Sequence, residues 1–256
     1  MIGQILQDKV AIVTGGAQGM GAATAILFAE AGARVVVADM NEAEGRAVVA
    51  SIEKAGGVAM FHKVNVAIAA EVEGLVRATV ECFGRLDAAV NNAAVTPDTH
   101  VLSEMDESQF DRVIAVDLKG VALCLKYQLA QMIRQGQGGS IVNIGSVSSF
   151  RPQPTNGAYV AAKHGVIGLT KVAALENGEH NIRVNAVAPG AIDTPMLRNA
   201  LAAMKVTEAD FAPALSLLGR FGEAREVAQA SLWLASDLAS YVTGTTINVD
   251  AGYANR

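Results

Sequence analysis

Residues 10–21 read VAIVTGGAQGMG, and this stretch decides the fold of the chain. Its apolar start, Val10–Val13, predicts a buried strand, and a glycine-rich turn follows at once. The spacing G-x-x-x-G-x-G, at Gly15, Gly19 and Gly21, lets the backbone approach a diphosphate and points a helix N-terminus at it. The same kind of turn also occurs in tight strand-to-helix connections, so its function depends on other residues.

Beyond this stretch, short β-branched runs alternate with longer helical patterns. Six further strands are predicted, at Arg34–Ala38, Ala59–Val66, Leu86–Val90, Ser140–Ile144, Arg183–Val187 and Thr245–Val249. Helices fit every gap, including a long one from about Ser108 to Arg134. Strands that are apolar on both faces and separated by helices predict a Rossmann-like, doubly wound α/β fold, with one parallel seven-stranded sheet covered by helices on both faces.

Length and composition are typical of a single folded domain spanning residues 1–256. Half of the residues are apolar and 18% are charged, which argues against disorder. The net charge is −5 and no basic run is present, which argues against nucleic acid as a partner. No stretch approaches the roughly 20 apolar residues of a membrane span, and Met1–Lys9 lacks the features of a signal peptide. Cys82 and Cys124 have no metal-ligand spacing, so we expect buried thiols and a cytoplasmic protein.

Asp39 follows the second predicted strand, 18 residues beyond Gly21. A carboxylate at this position can accept hydrogen bonds from the two hydroxyls of an adenosine ribose, and it repels a 2′-phosphate. Gln18 and Met40 offer no cation that would bind such a phosphate. Asp39 could instead be a charge at a helix N-terminus. Together with the glycine turn it predicts NAD(H) rather than NADP(H).

A second pattern lies downstream, where Tyr159 follows Ser146 by thirteen residues and Lys163 follows Tyr159 by four. Side chains at i and i+4 share one helix face, so the ammonium can lie beside the phenol. A free tyrosine titrates near ~10, so proton transfer at neutral pH requires a shift of about three units, or roughly 4 kcal/mol. On spacing alone the tyrosine and lysine would be a surface pair. Combined with the serine and the glycine turn, they indicate hydride transfer on an alcohol or ketone.

In order and spacing, these features resemble the classical short-chain dehydrogenase/reductase family over essentially the whole chain. The family's glycine motif is matched at Thr14–Gly21, and its N-N-A-G motif at Asn91–Ala94, where alanine is the last residue. Its serine is matched at Ser146, and its Y-x-x-x-K motif at Tyr159–Lys163. Its P-G motif with a later threonine is matched at Pro189–Thr194.

The resemblance implies that Tyr159 is the general acid/base and that Ser146 orients the substrate oxygen. It assigns Lys163 to the nicotinamide ribose and to making the phenol more acidic. It also implies NAD contacts at Gly15, Gln18, Gly19, Met20, Gly21, Asp39, Asn65, Val66, Asn91, Ala93, Tyr159, Lys163, Pro189, Gly190, Ile192 and Thr194. No metal is expected, because the four histidines show no metal-ligand spacing.

Asp117 departs from the family pattern, which has an asparagine that holds a water leading to the lysine. The carboxylate could still hold that water, but a negative charge nearby favours the protonated phenol. Our hypothesis is a surviving proton relay with a higher kinetic pKa. Alternatively, Asp117 is neutralised by Lys119 or faces elsewhere. Ala94, and Asn65 in place of the usual aspartate beside the adenine, are smaller departures.

The segment 191–222 is the longest irregular stretch and a candidate substrate lid. The predicted pocket walls, at 96–101, 150–156 and 196–211, are mixed in polarity, with Arg151 and Arg198 as the cations that could bind an anionic group. We expect a neutral secondary alcohol or ketone, cyclic or a diol; 3-oxoacyl and hydroxysteroid substrates are alternatives. A non-catalytic NAD-binding sensor or scaffold is a further alternative.

Association into a symmetric homo-oligomer, most simply a tetramer, is expected from the resemblance. The long helix through Asp117 and the helix that carries Tyr159 have apolar and small residues for packing against a second copy. The segment Trp233–Tyr253 is expected to form a second interface.

Overall fold

A parallel sheet of seven strands runs through the computed structural model, which describes residues 3–255. In chain order the strands are β1 (Val10–Thr14), β2 (Arg34–Asp39), β3 (Val58–Lys63), β4 (Ala88–Asn91), β5 (Gly139–Ile144), β6 (Ile182–Pro189), β7 (Ile192–Asp193), β8 (Gly222–Glu223) and β9 (Thr246–Val249). The sheet has the order β3-β2-β1-β4-β5-β6-β9, and β7 pairs separately with β8. Every neighbouring pair is parallel, so the predicted fold is confirmed.

Helices cover both faces of this sheet. They are α1 (Gly19–Glu30), α2 (Glu42–Lys54), α3 (Ala69–Phe83), α4 (Glu107–Val113), α5 (Gly120–Gln135), α6 (Gly157–Asn177), α7 (Pro195–Met204), α8 (Glu208–Leu215) and α9 (Ala224–Ala235). Asn41 caps α2 by accepting a hydrogen bond from the amide of Glu44. Among residues 3–255, no helix has both the length and the apolar character that a membrane crossing requires.

Two apolar clusters, one on each face of the sheet, form the core. Ala11 and Val13 of β1 belong to the cluster that contains Phe28 of α1. Ile12, between them, belongs to the opposite cluster with Leu125 of α5. This alternation is the period of two that a strand imposes, and it explains why residues 10–13 of β1 are all apolar. Complete burial of a side chain such as Phe28 contributes about 1.5–3 kcal/mol.

The long predicted helix is present, but its middle has a wider turn. Between α4 and α5 the chain forms a π-helical segment, Ile114–Lys119, without leaving the helix axis. Segments of this kind occur mostly at functional sites, since they turn side chains out of the regular α-helical register. Here the π segment carries Asp117, whose side chain is completely buried.

At two of the strand boundaries that differ from the prediction, a side chain takes over backbone hydrogen bonds. The strand predicted at 59–66 ends at Lys63, since the side chain of Asn65 accepts from the amide of Ala67 and turns the chain. The strand predicted from Leu86 begins at Ala88, since the side chain of Gln135 bonds both backbone groups of Leu86.

The expectation of buried thiols is correct for one cysteine and wrong for the other. Cys124 is buried in α5, and burial raises the pKa of its thiol to about 12. Cys82 is exposed in the last turn of α3, where Phe83 takes the position against the core.

The order of the strands decides where a ligand can bind. β1 lies between β2 and β4, so the connections after β1 and β4 leave the sheet in opposite directions and open a crevice at their carboxyl ends. The glycine turn follows β1, and the Asn91–Ala94 motif begins with the last residue of β4. β5, beside β4, ends directly before Gly145 and Ser146 at the same edge.

The segment 191–222 forms a small substructure above this edge. It contains β7, α7 and α8, and the β7–β8 pair joins its two ends through the register Ile192↔Gly222. Leu201, Ala212 and Phe221 are buried in an apolar cluster of its own. Ile192, at its base, belongs instead to the core cluster of the sheet.

Candidate active site

A cleft of about 240 Å³ opens at the carboxyl ends of β1 and β4. The residues that line it and that the sequence predicts as site residues are Gly15, Gln18, Gly19, Met20, Asp39, Asn65, Val66, Ala93, Tyr159, Lys163 and Thr194. The fold therefore brings together residues from six separate regions of the chain. Among the residues of the three segments predicted as substrate walls, Met196 is the one that lines this cleft.

Other predicted site residues lie behind the surface of the cleft. They are Gly21, Asn91, Ser146, Asp117, Pro189, Gly190 and Ile192. All are buried except Gly190, which is half-buried. Asn91, for example, bonds the side chains of Gln128 and Asn143 through its own amide nitrogen. Such residues support the residues that line the cleft.

The glycine turn is packed too closely for side chains. A Cβ at Gly21 would lie 2.0 Å from the carbonyl oxygen of Gly15, and Gly15 itself has a φ of +63°. Helix α1 then begins at Gly19 with no side-chain cap and no acidic residue in its first turn. Its free amide groups face the cleft, so the turn fits the diphosphate of a dinucleotide.

The side chain of Asp39 is fixed at the end of β2. One carboxylate oxygen accepts from the amide of Ala17 at 3.0 Å, and the other accepts from the amide of Asn41 at 2.9 Å. Among residues 3–255, Asp39 takes part in none of the ion pairs. Among the described residues, no cation therefore lies within ion-pair distance of this carboxylate, although Lys63 is its register partner on β3.

Asn92 was not predicted as a site residue, yet it links the two halves of the cleft. Its side-chain amide donates to the carbonyl oxygens of Thr14 and Gly15 at 3.0 and 3.1 Å. The Thr14 hydroxyl in turn accepts from the amides of Asn92 and Ala93. The paired asparagines after β4 were the sequence signal that could have identified this contact.

Tyr159 and Lys163 lie on one face of α6, as their spacing predicts. The ammonium nitrogen of Lys163 is 5.5 Å from the centre of the Tyr159 ring. It donates to the carbonyl oxygen of Ile144 at 3.1 Å, and Lys163 is only 3% exposed to solvent. Its position is therefore set by the end of β5 as well as by its own helix.

Asp117 faces Lys163 rather than Lys119. Its Oδ1 accepts from the amide of Val95 at 2.9 Å, and its Oδ2 lies 3.8 Å from the Lys163 ammonium. Oδ2 is the one buried side-chain oxygen or nitrogen within residues 3–255 that has no hydrogen-bond partner. Burial raises the pKa of the Asp117 carboxyl, while Lys163 and the bond from Val95 lower it. The net shift of the pKa is upward, because the interactions with Lys163 and Val95 do not fully offset the free-energy cost of burying a charged carboxylate.

Ser146 is buried beside Gly145, which lines the cleft. Its hydroxyl oxygen accepts from the amide of Ser148 at 3.1 Å. Its own amide donates to the hydroxyl of Ser149, which also donates to the carbonyl oxygen of Lys163. The hydroxyl of Ser146 is held as an acceptor and keeps its hydrogen available for a further partner.

The two cations that could have bound an anionic substrate already have partners. Arg198 pairs with Asp193 through two hydrogen bonds and contacts Glu208 at 3.0 Å. Arg151 donates to the carbonyl oxygen of Tyr253 and stacks on its ring. Within residues 3–255, no group of three or more His, Cys, Asp or Glu side chains could hold a metal ion.

Comparison with known proteins agrees with this geometry. The family model described as Enoyl-(Acyl carrier protein) reductase matches residues 15–254. A short-chain dehydrogenase/reductase of Aspergillus oryzae is 50% identical, over 96% of this chain and 95% of the relative. The 2,5-dichloro-2,5-cyclohexadiene-1,4-diol dehydrogenase of Sphingobium indicum is 44% identical, over 97% of this chain and 98% of the relative. The crystal structure of levodione reductase matches with a TM-score of 0.91 and 36% identity, over 97% of this chain and 98% of that chain.

These matches extend over almost the full length of both partners, in sequence and in backbone. They agree with the parallel sheet and with the helices on both of its faces. The chain belongs to the classical short-chain dehydrogenase/reductase family, whose members are oxidoreductases that use NAD or NADP.

Proposed function

We propose that the protein interconverts a neutral secondary alcohol and its ketone by hydride transfer, with NAD as the coenzyme. The observation that carries the proposal is the buried ammonium of Lys163, 5.5 Å from the centre of the Tyr159 ring at the wall of the cleft. A buried cation next to a phenol is an arrangement that favours a tyrosine which gains and loses a proton. The single domain 1–256 carries both the coenzyme cleft and these groups.

In this proposal Tyr159 exchanges a proton with the substrate oxygen, and Ser146 donates a hydrogen bond to that oxygen. Lys163 stabilises the deprotonated phenol by its charge. The nicotinamide, when bound, supplies or accepts the hydride. The residues proposed to hold the coenzyme are those predicted above, with Asn92 added for its bonds to the glycine turn.

The preference for NAD rests on Asp39. Its carboxylate is fixed by two backbone amides at the cleft, and no cation pairs with it among residues 3–255. A 2′-phosphate at this end of the cleft would meet a carboxylate that makes no ion pair, whereas two ribose hydroxyls would meet an acceptor.

The proposed substrate is neutral because Arg151 and Arg198 already have partners. A cyclic alcohol or diol is favoured by the 44% identity to a dehydrogenase named for a cyclohexadiene diol. A 3-oxoacyl substrate is the second candidate, favoured by the 42% identity to a relative from Thermotoga maritima that is named a 3-oxoacyl-[acyl-carrier-protein] reductase. The segment 191–222 is proposed as the lid over the substrate, with Met196 at the cleft.

A panel of secondary alcohols and ketones, followed at the absorbance of the reduced nicotinamide, tests the function. Cyclic diols, 3-oxoacyl thioesters and hydroxysteroids are assayed with NAD(H) and with NADP(H). Turnover of a cyclic alcohol with NAD supports the proposal, and turnover of thioesters alone favours the second candidate. Coenzyme binding without turnover of any member would indicate the non-catalytic alternative.

Replacing Asp117 by asparagine is expected to move the pH–rate profile of alcohol oxidation to lower pH by about one unit. The substitution removes a negative charge next to Lys163, and a more effective cation favours the deprotonated phenol. Burial raises the pKa of Asp117, so wild type and variant converge at low pH, where the carboxyl is protonated, and diverge above it. The measurement is kcat/KM against pH, with Asp111→Asn on the exposed face of α4 as the control. An unmoved profile would contradict the relay hypothesis.

We further propose that the chain forms a homo-oligomer, with a tetramer as the expected state. On α6, Val172 is 50% exposed and Leu175 is 85% exposed, although both are aliphatic. Near the carboxyl end of the chain, Leu238 and Tyr241 are also exposed. Light scattering at micromolar concentration is expected to give the mass of a tetramer, and Leu175→Glu is expected to reduce it. A wild-type monomer at that concentration would rule the proposal out.

A further inference from the structure

The amino terminus of α6, the helix that carries Tyr159, is not capped by its own sequence. Asn156 immediately precedes the helix, but its side chain makes no capping hydrogen bond. The first amides of a helix have no partner within the helix and must find one elsewhere. Tyr159 is the third residue of α6, so its backbone amide is one of this group.

Asp98, sixty residues upstream, provides the missing acceptors. Its Oδ2 accepts from the amide of Ala158 at 3.0 Å, and its Oδ1 accepts from the amide of Tyr159 at 3.1 Å. The residue is 6% exposed. Within residues 3–255 none of the ion pairs includes Asp98. Its carboxylate therefore faces the two amides and the positive end of the helix dipole.

The surrounding backbone is built around this contact. His100, two residues after Asp98, forms an isolated parallel β-bridge with Asn156. At Gly157 a Cβ would lie 2.6 Å from a methyl carbon of Leu102, so the connection after β4 packs directly on the first residue of the helix. Thr155 has a φ of +68°, a conformation that costs a β-branched residue energy and that the neighbouring contacts must maintain.

The two side chains of the Tyr159–Lys163 pair are therefore positioned by different parts of the chain. Lys163 is bonded to Ile144 and faces Asp117. Tyr159 is positioned through the first turn of α6, and Asp98 is the side chain that binds that turn. The position of the phenol relative to the ammonium thus depends on the connection between β4 and α4.

We propose that Asp98 is a positioning residue for Tyr159, acting as a cap on the catalytic helix that is supplied by the connection after β4. The proposal rests on the proposed function, in which Tyr159 transfers the proton. It adds that the Asp98 carboxylate holds the proton-transferring group against the connection after β4, which is one of the predicted substrate walls.

Asp98→Ala is expected to lower kcat about tenfold, in line with the loss of a helix cap, while the Kd for NADH stays within twofold of wild type. Asp98→Asn keeps one acceptor oxygen but turns an amide donor towards the second backbone amide. Its kcat should therefore lie between that of wild type and that of Asp98→Ala. Asp106→Ala is the matched control, because Asp106 lies in the same connection and caps α4 instead of α6. It is expected to leave kcat within twofold of wild type.

Hydrogen exchange of the segment 157–163 provides a readout that does not need turnover. Its amides are expected to exchange faster in Asp98→Ala and in Asp98→Asn, and at the wild-type rate in Asp106→Ala. Unchanged exchange in both Asp98 variants, an unchanged kcat in Asp98→Ala, or an equal loss in Asp106→Ala would overturn the proposal. If Asp98→Ala does not fold, the asparagine variant alone decides. If exchange is faster in the Asp98 variants but turnover survives Tyr159→Phe, the proposed function is refuted, whereas the role of Asp98 as a helix cap is supported.

Discussion

Tyr159→Phe is expected to lower kcat by roughly 10³-fold, the middle of the range for general acid–base catalysis. The substitution removes the phenolic oxygen and keeps the ring, so packing against the neighbouring apolar residues of α4 and α6 is preserved. The buried Lys163 loses the group that its charge would stabilise, but it keeps its bond to Ile144. Coenzyme binding should therefore survive, with a Kd for NADH within about twofold of wild type.

The measurement combines steady-state kinetics on the best substrate of the panel with fluorescence titration of NADH. Tyr127→Phe is the control, because Tyr127 also has a lysine over its ring, Lys126 at 4.7 Å, but lies outside the cleft. It is expected to retain wild-type kcat. If Tyr159→Phe keeps more than about a tenth of the activity, proton transfer depends on another group and the proposed mechanism is wrong.

Asp39→Asn is expected to change the NAD/NADP ratio of kcat/KM by about 100-fold in favour of NADP. Hydrogen bonds to a charged acceptor contribute about 1.5–3 kcal/mol, so weaker bonds to the ribose lower the efficiency with NAD. Loss of the negative charge also removes the repulsion of a 2′-phosphate. Asparagine retains one oxygen, so one of the amides of Ala17 and Asn41 keeps its acceptor while the other faces an amide donor.

Kinetics with both coenzymes measure this ratio directly. Glu44→Gln is the control, because it removes one negative charge from the first turn of α2, five residues beyond Asp39, without touching the cleft. It should leave the ratio within about twofold. An unchanged ratio in Asp39→Asn would mean that other groups select the coenzyme, and the assignment of NAD would lose its basis.

The fold could be predicted because its signals are local. The β1 strand is a run of β-branched and apolar residues ended by glycine, and the structure places it within one residue of the prediction. The third strand was predicted too long for an equally local reason. Val64 and Val66 are buried and β-branched, as strand residues are, but the side chain of Asn65 between them turns the chain. Propensity alone does not reveal a competing side-chain hydrogen bond.

The site was predictable only where its residues follow a fixed spacing. Tyr159 and Lys163 share a helix face by geometry, and Asp39 ends its strand, 18 residues beyond Gly21. The partners of Asp117 could not be assigned, because its neighbour Lys163 is 46 residues away in sequence and Lys119 is two. Asp98 gave no signal at all, since its role depends on a contact between segments sixty residues apart.

The segment 191–222 has an apolar cluster of its own, and this affects how the protein unfolds locally. Leu201, Ala212 and Phe221 pack with one another, while the two core clusters of the sheet are complete without them. Unfolding of 195–221 would thus expose one small cluster and leave Ile192 and the sheet intact. Such a segment opens with less free energy than the whole domain. Proteases should therefore cleave within α7 and α8 first, and leave a folded remainder that still contains the glycine turn and α6.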